Sequence, residues 1–307
     1  YLDGGVGSDT YLFGRGSGQD TISNYSYDTT PNKLDTIHLQ GLSQSDVIFS
    51  RENNDLLIKI KGSDDVLRVS SHFYTFSNSY QSYAIDQIQF GDGTVWSYEQ
   101  LRRELLTGGD AGDVLTGYAS DDTVSGLGGN DTLFGLGGND ILLGGAGNDS
   151  LYGGDGDDIL DGESGSDYLE GGLGNDKYIQ RKGGGADTIN SYSWSYDSIQ
   201  GWGSHDKDTV AFSADITSEQ LWFSREGSNL KVSIIGSEDN TTVQSWYLSD
   251  AYRVGQFALS DGKVLLDTQV QNLVDAMAGF AVPSGSESDM TADQRSQLDV
   301  VIAANWH

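Results

Sequence analysis

A nine-residue period runs through the middle of the chain, and a fixed short period decides architecture before any single residue does. From Gly108 the sequence divides into eight consecutive frames: GGDAGDVLT, GYASDDTVS, GLGGNDTLF, GLGGNDILL, GGAGNDSLY, GGDGDDILD, GESGSDYLE and GGLGNDKYI. Place six is always Asp: Asp113, Asp122, Asp131, Asp140, Asp149, Asp158, Asp167 and Asp176. Place eight is always apolar or aromatic: Leu115, Val124, Leu133, Leu142, Leu151, Leu160, Leu169 and Tyr178. A Gly-rich linker would show neither regularity.

Glycines gather in the first four places: Gly108, Gly126, Gly128, Gly135, Gly137, Gly144, Gly145, Gly147, Gly153, Gly154, Gly156, Gly162, Gly165, Gly171, Gly172 and Gly174. They permit the strained dihedrals of a tight turn and leave carbonyls free to point at an ion. The last three places form a minimal strand with one inward side chain, too little to bury a core alone. Stacked coils would supply a continuous column of leucines, so the array must fold collectively. If each full coil takes two frames, residues eighteen apart lie above one another. Six carboxylate pairs then converge, from Asp113/Asp131 to Asp158/Asp176.

Between Gly108 and Asp176 there is no Lys or Arg, and the whole chain carries 46 acidic against 17 basic residues, a formal net charge of −29. Such an excess resists compaction unless cations neutralise it. It also disfavours nucleic acid and anionic membranes as partners. With no cysteine, only oxygen-ligated hard ions suit the chain, and carboxylate pairs plus turn carbonyls fit the roughly six to eight oxygens of calcium better than the strict octahedron of magnesium.

The frames match the G-G-x-G-x-D-x-U-x consensus, and over about a quarter of the chain the sequence resembles the RTX, or haemolysin-type, calcium-binding repeats. The resemblance implies a parallel β-roll with several calcium ions held in turns on both sides. Departures stand at place four (Ala111, Ser120) and place two (Tyr118, Glu163), so the first two coils are expected to bind more weakly.

Residues 4–28 repeat the end of this array, paralleling 171–197, so Gly4, Gly5, Gly7, Asp9 and Asp20 match the turn residues around Asp176 and Asp187. The duplication continues. Phe49-Ser50-Arg51-Glu52 with Leu56 echoes Phe223-Ser224-Arg225-Glu226 with Leu230. Alternating strands follow at Leu56/Ile58/Ile60 and Leu230/Val232/Ile234, then hairpins around Asp-Gly turns at 88–95 and 257–264, then short helices near 98–106 and 268–277. These segments resemble the haemolysin-type calcium-binding related domain and are read as caps over exposed solenoid ends. The expected layout is the end of a first roll (1–29), a β-rich cap (30–106), a second roll (107–190), a second cap (191–277) and a tail (278–307). The fold class is all-β, a parallel β-roll with β-rich capping modules and short C-terminal helices.

In the tail, Thr291-Ala292-Asp293-Gln294 offers a helix start, and Asp299 followed by apolar residues to Trp306 resembles the uncleaved signal of type I secretion substrates. The other reading is an amphipathic helix docked on the cap. The N-terminus opens in mid-motif without signal-peptide features and no run is apolar enough to span a membrane, so the chain is read as a piece of a longer protein. His38, His72, His205 and His307 fall in no metal-ligand spacing, and neither G-x-S-x-G nor a P-loop occurs, so no catalytic role is expected. The aromatic groups Tyr25/Tyr27 and Tyr192/Trp194/Tyr196/Trp202 read as seals between roll and cap, with a sugar platform as the alternative. The functional expectation is a monomeric, extracellular or cell-surface calcium module that threads a type I secretion apparatus unfolded and folds outside. A calcium-dependent adhesion or glycan-binding module is the alternative.

Overall fold

The computed structural model describes residues 1–24, 32–74, 83–193, 195–197, 201–203, 206–283 and 290–307, with 195–197 and 201–203 described by their backbone alone. It forms two compact units, Tyr1–Leu105 and Leu106–His307.

In the second unit the nonapeptides form six-residue strands, Thr123–Gly128, Thr132–Gly137, Ile141–Ala146, Ser150–Asp155, Ile159–Ser164 and Tyr168–Leu173. Each covers places seven to nine of one frame and one to three of the next, longer than the minimal strand expected. Pairing is parallel and skips one strand: Thr123 lies beside Ile141 and Thr132 beside Ser150, so alternate strands build opposite sheets. The eighteen-residue coil is thus realised, and the chain is a parallel β-roll.

Side chains alternate along a strand, so places eight and one both face inward. Place eight supplies Val124, Leu133, Leu142, Leu151, Leu160, Leu169 and Tyr178, all fully buried, whereas Leu115 in the opening strand is only half-buried. Place one is a buried glycine because no side chain fits: a Cβ on Gly126 would lie 2.5 Å from the Gly144 carbonyl oxygen and collide with Asp131.

Both sheets run on across the boundary expected at 190/191. Lys177–Gln180 pairs with Thr209–Phe212, which continues in parallel to Gln256–Ala258 and then antiparallel to Val264–Leu266. On the other face Ala186–Asn190 pairs with Asn240–Val243, followed by antiparallel Asn229–Ile234 and Leu221–Glu226. The second module therefore extends the roll's own hydrogen-bond ladders and closes them with antiparallel hairpins. Its core gathers around Phe257, whose ring meets Phe212, Phe223 and Trp246. Helix Asp267–Met277 packs on strand Leu221–Glu226 and on helix Ala292–Asn305.

The first unit repeats this plan. Strands Thr10–Gly14, Thr36–Gln40, Gln87–Phe90 and Val95–Ser97 form one sheet, and Gln19–Ile22, Val66–Val69, Asp55–Ile60 and Val47–Glu52 the other, in the same order and the same senses. Even a side-chain rung recurs: Gln87 Nε2 donates to Thr36 Oγ1, and Gln256 Nε2 to Thr209 Oγ1. The duplication read from sequence is a duplication of fold.

Candidate metal centre

All six expected carboxylate pairs come together. In each, the backbone N–H of the earlier Asp donates to Oδ1 of the Asp eighteen residues later: Asp113 to Asp131, Asp122 to Asp140, Asp131 to Asp149, Asp140 to Asp158, Asp149 to Asp167 and Asp158 to Asp176, at 2.7–2.9 Å. The ladder continues past the nonapeptides from Asp167 to Asp187 and from Asp176 to Asp208, each at 3.0 Å. In the first unit Asp9 donates to Asp35 Oδ1 at 3.0 Å, while Asp20 sits half-buried in the strand Gln19–Ile22.

The other oxygen tells more. Oδ2 of Asp131, Asp140, Asp149, Asp158, Asp167 and Asp176 is buried with no hydrogen-bond partner, one orphan for each pair, and Asp9 Oδ2 shares this state. A buried carboxylate oxygen without a donor is costly unless a proton or a cation meets it. Like charges one rung apart, about 5 Å, repel by about 3 kcal/mol at an effective dielectric of about 20. Burial, assisted by neighbouring carboxylates, accordingly pushes Asp140, Asp167 and Asp176 up to about 7 and Asp158 to about 6 against the lowering pull of the backbone donors. Asp149 is raised by burial as well, Asp187 reaches about 6, and Asp208 about 8. Arg181 reaches back with its guanidinium to Asp161, at place nine of its frame and outside the place-six ladder.

The glycines divide by task. Gly4, Gly126, Gly135, Gly144, Gly153, Gly162 and Gly171 lie against Oδ2 of their own frame's Asp, where a methyl group would occupy the cradle. Gly108 does the same less tightly: a Cβ there would lie 2.7 Å from Asp113 Oδ2. Gly5, Gly7, Gly145, Gly147, Gly154, Gly156, Gly165, Gly172 and Gly174 adopt positive φ, as the tight turn requires. In two frames the left-handed residue is Gly129 or Gly138, one position after the Gly128 and Gly137 singled out from sequence. Place two is left-handed even where it is not glycine, at Leu127, Leu136 and Glu163, with φ of 71°, 84° and 65°.

A second ladder, at place five, went unread in the sequence. Asn139 N–H donates to Asp121 Oδ1, Asp157 to Asn139, Asn175 to Asp157, Asn148 to Asn130 and Ser166 to Asn148, at 2.7–2.9 Å. It runs opposite in sense to the place-six ladder, so each turn is clamped from both sides. The recurring Asn or Asp at place five was the available signal.

Among the described residues no three His, Cys, Asp or Glu side chains gather into a metal cluster, so main-chain carbonyls must complete each coordination sphere. The orphaned oxygens, the glycine cradles and the all-oxygen donor set fit calcium, with Asp at place six of successive coils to hold it. His72 is structural: buried at 1% exposure, it accepts from Ile85 N–H, and desolvation pulls it down to about 3. Tyr25, Tyr27, Trp194 and His205 lie outside the described residues, as do the side chains of Tyr196 and Trp202. Tyr192 does pack on Tyr252, ring centroids 4.9 Å apart. No helix among the described residues is long and apolar enough to cross a membrane.

Residues 107–142 and 143–178 match the family described as RTX calcium-binding nonapeptide repeat, and residues 55–100 and 229–269 match the haemolysin-type calcium binding protein related domain. These segments are RTX repeats and their associated domain, and such repeats bind calcium at multiple sites. A 105-residue stretch is 36% identical to the iron-regulated protein FrpA of Neisseria meningitidis serogroup C, covering 34% of this chain and 9% of that protein. The chain thus spans a small part of this curated relative. The extracellular lipase LipA of Serratia marcescens overlaps 78% of this chain and 35% of its own at 15% identity and a TM-score of 0.26, too loosely to carry an argument.

Proposed function

We propose that this chain is an extracellular calcium-responsive module of a larger type I secreted protein, monomeric and without catalysis of its own, whose roll assembles when calcium occupies the turns between paired aspartates. The observation that carries this reading is the one-to-one match between six Asp pairs and six buried, unpartnered Oδ2 atoms. Where calcium is scarce, inside a cell, repulsion along the ladder keeps the repeats unfolded and able to thread a secretion channel. Outside, each ion at ten times its dissociation constant adds about 1.4 kcal/mol to folding, and several linked sites make the transition steep. Far-UV circular dichroism during a calcium titration, with magnesium as control, tests this. A cooperative gain of β signal for calcium alone is expected, whereas a chain already folded in chelator and indifferent to calcium would overturn it.

A second reading draws support from one face of the roll. Phe134 and Tyr152 stack at 5.0 Å between centroids and Tyr152 meets Tyr168 at 5.8 Å, all half-buried. Tyr168 Oη donates to Glu170 Oε2 at 2.6 Å, and Asn190 Nδ2 donates to the same oxygen at 2.9 Å. Flat apolar rings beside acid and amide groups suit a sugar, as an adhesion module would need. Glycan-array binding in calcium that disappears in Phe134→Ala/Tyr152→Ala would move this reading to the front.

A further inference from the structure

The first unit closes its fold with two four-stranded sheets and the short helix Tyr98–Leu105, and among its described residues nothing corresponds to helix Ala292–Asn305. The second module repeats that plan and then adds this helix. Its strands and first helix therefore make up a complete fold before the added segment, 291–307, is counted.

The surface beneath the added helix differs between the two copies at matching places. Hairpin register sets Leu221 beside Ile234 as it sets Val47 beside Ile60, so Trp222 matches Ile48 and Ile235 matches Lys61. The pairs Ala258/Val264 and Gln89/Val95 likewise match Leu273 to Glu104. Trp222, Ile235 and Leu273 are buried, whereas Ile48, Lys61 and Glu104 are exposed. Where one copy shows water a Lys and a Glu, the other keeps an Ile and a Leu under cover.

The segment supplies the cover. Leu298 and Ile302 stand four residues apart on one helical face, Trp306 follows four residues on, and all three are buried. Leu298 and Ile302 share a pocket with Trp222 and Ile235, and their helix packs on Asp267–Met277, the helix that carries Leu273. This is a helix laid on an apolar face, the geometry by which folded proteins take up amphipathic peptides. The fit is loose. Openings of about 200 Å³ and about 400 Å³ remain along the helix, the first bordered by Trp222, Met277 and Leu298, the second by Glu219, Lys263 and Trp306. The core of a single folding unit is close-packed, so such openings mark a contact between parts that fold separately.

We propose that the face of the second module carrying Trp222 and Ile235 is a docking site for residues 291–307. The module folds first, and the segment docks afterwards as a latch that takes Leu298, Ile302 and Trp306 away from any other partner. The first module, with Lys61 and Glu104 on the matching face, has no such site.

The test uses the full chain in saturating calcium, as parent, as Leu298→Asp/Ile302→Asp, and as Ile235→Lys/Leu273→Glu, which copies the first module. Hydrogen exchange should show the amides of 292–305 opening about tenfold faster or more in both variants, with the β ladders as protected as in the parent. The segment variant, its site now vacant, should bind a fluorescent peptide of residues 290–307 saturably, and fail to bind the same peptide carrying the two Asp substitutions. Adding Ile235→Lys/Leu273→Glu to it should abolish peptide binding. If Leu298→Asp/Ile302→Asp loses the protection of the second module's strands, the segment belongs to the module's core and the latch is overturned. If it stays folded and binds no peptide, the docking site is overturned. Should Ile235→Lys/Leu273→Glu not fold, the two peptides on the segment variant decide alone.

Discussion

Asp131 donates its backbone N–H to Oδ1 of Asp149 at 2.8 Å, while Oδ2 of Asp149 lies buried with no donor. The two oxygens of one carboxylate are therefore separable: Oδ1 ties adjacent coils together, and Oδ2 is the proposed calcium ligand. Asp149→Asn keeps an acceptor for the Asp131 amide and gives up the charge. Asp149→Ala gives up both and strands a buried N–H, which costs about 1–3 kcal/mol more. Calcium titrations followed by circular dichroism should show the folding midpoint raised in the order parent, Asn, Ala. Equal midpoints for the two variants would mean that the ladder hydrogen bond contributes nothing.

Two glycines of the same left-handed type separate strain from collision. Gly7 has φ of 100° with open space around it, whereas Gly147 has φ of 139° with the Gly129 carbonyl directly where a Cβ would go. Gly7→Ala should cost the backbone strain alone, about 1–2 kcal/mol. Gly147→Ala should exceed 3 kcal/mol, because packed backbone cannot yield without separating the coils. Thermal unfolding in saturating calcium measures both, and a Gly147→Ala no worse than Gly7→Ala would show that the coils slide apart freely.

Protons compete with calcium here, with a definite sign. Asp158 is raised to about 6 and Asp140, Asp167 and Asp176 to about 7 in the folded roll, against about 3.9 in an unfolded chain. A folded state that binds more protons is favoured by acid. Without calcium, stability is therefore fully present below about pH 4 and is lost as pH rises through about 6 to 7. In chelator, the β signal should decay between pH 4 and pH 8, and calcium affinity should climb over the same window. An apo chain that gains structure as pH rises would contradict this.

The column of leucines was legible because period nine phases Leu133, Leu142 and Leu151 against the Asp ladder. The six carboxylate pairs followed from the two-frame coil. Three features were hidden, each for a physical reason. Gly128 and Gly137 outshone Gly129 and Gly138 because adjacent glycines look alike in sequence while only one takes positive φ. The continuity of the sheets into the second module was masked because strands such as Asn240–Val243 pair with partners more than fifty residues away, a distance over which local pattern says nothing about register. Asp208 carries no glycine signature, so only the hydrogen bond from Asp176 reveals it as a further rung of the ladder.

The C-terminal segment offers a test of the proposed link between folding and export. Thr291 and Gln294 form the capping box at the start of helix Ala292–Asn305, and Leu298, Ile302 and Trp306 are buried, leaving Val300 69% exposed. Asn272 Nδ2 bonds Asn305 Oδ1 at 2.8 Å, and the His307 main chain pairs both ways with Val264 at 2.8 and 3.0 Å. Folded, the apolar residues of the candidate secretion signal are spent on packing, so a channel could read them only before the unit folds. Replacing Leu298 and Ile302 by Asp and Trp306 by Ala should therefore abolish export through a co-expressed type I apparatus. Asp149→Ala should leave export intact yet deliver a chain sensitive to protease in calcium, because it damages the roll and not the signal. Export of the triple variant at the parent level would reduce the segment to a helix that covers the second module.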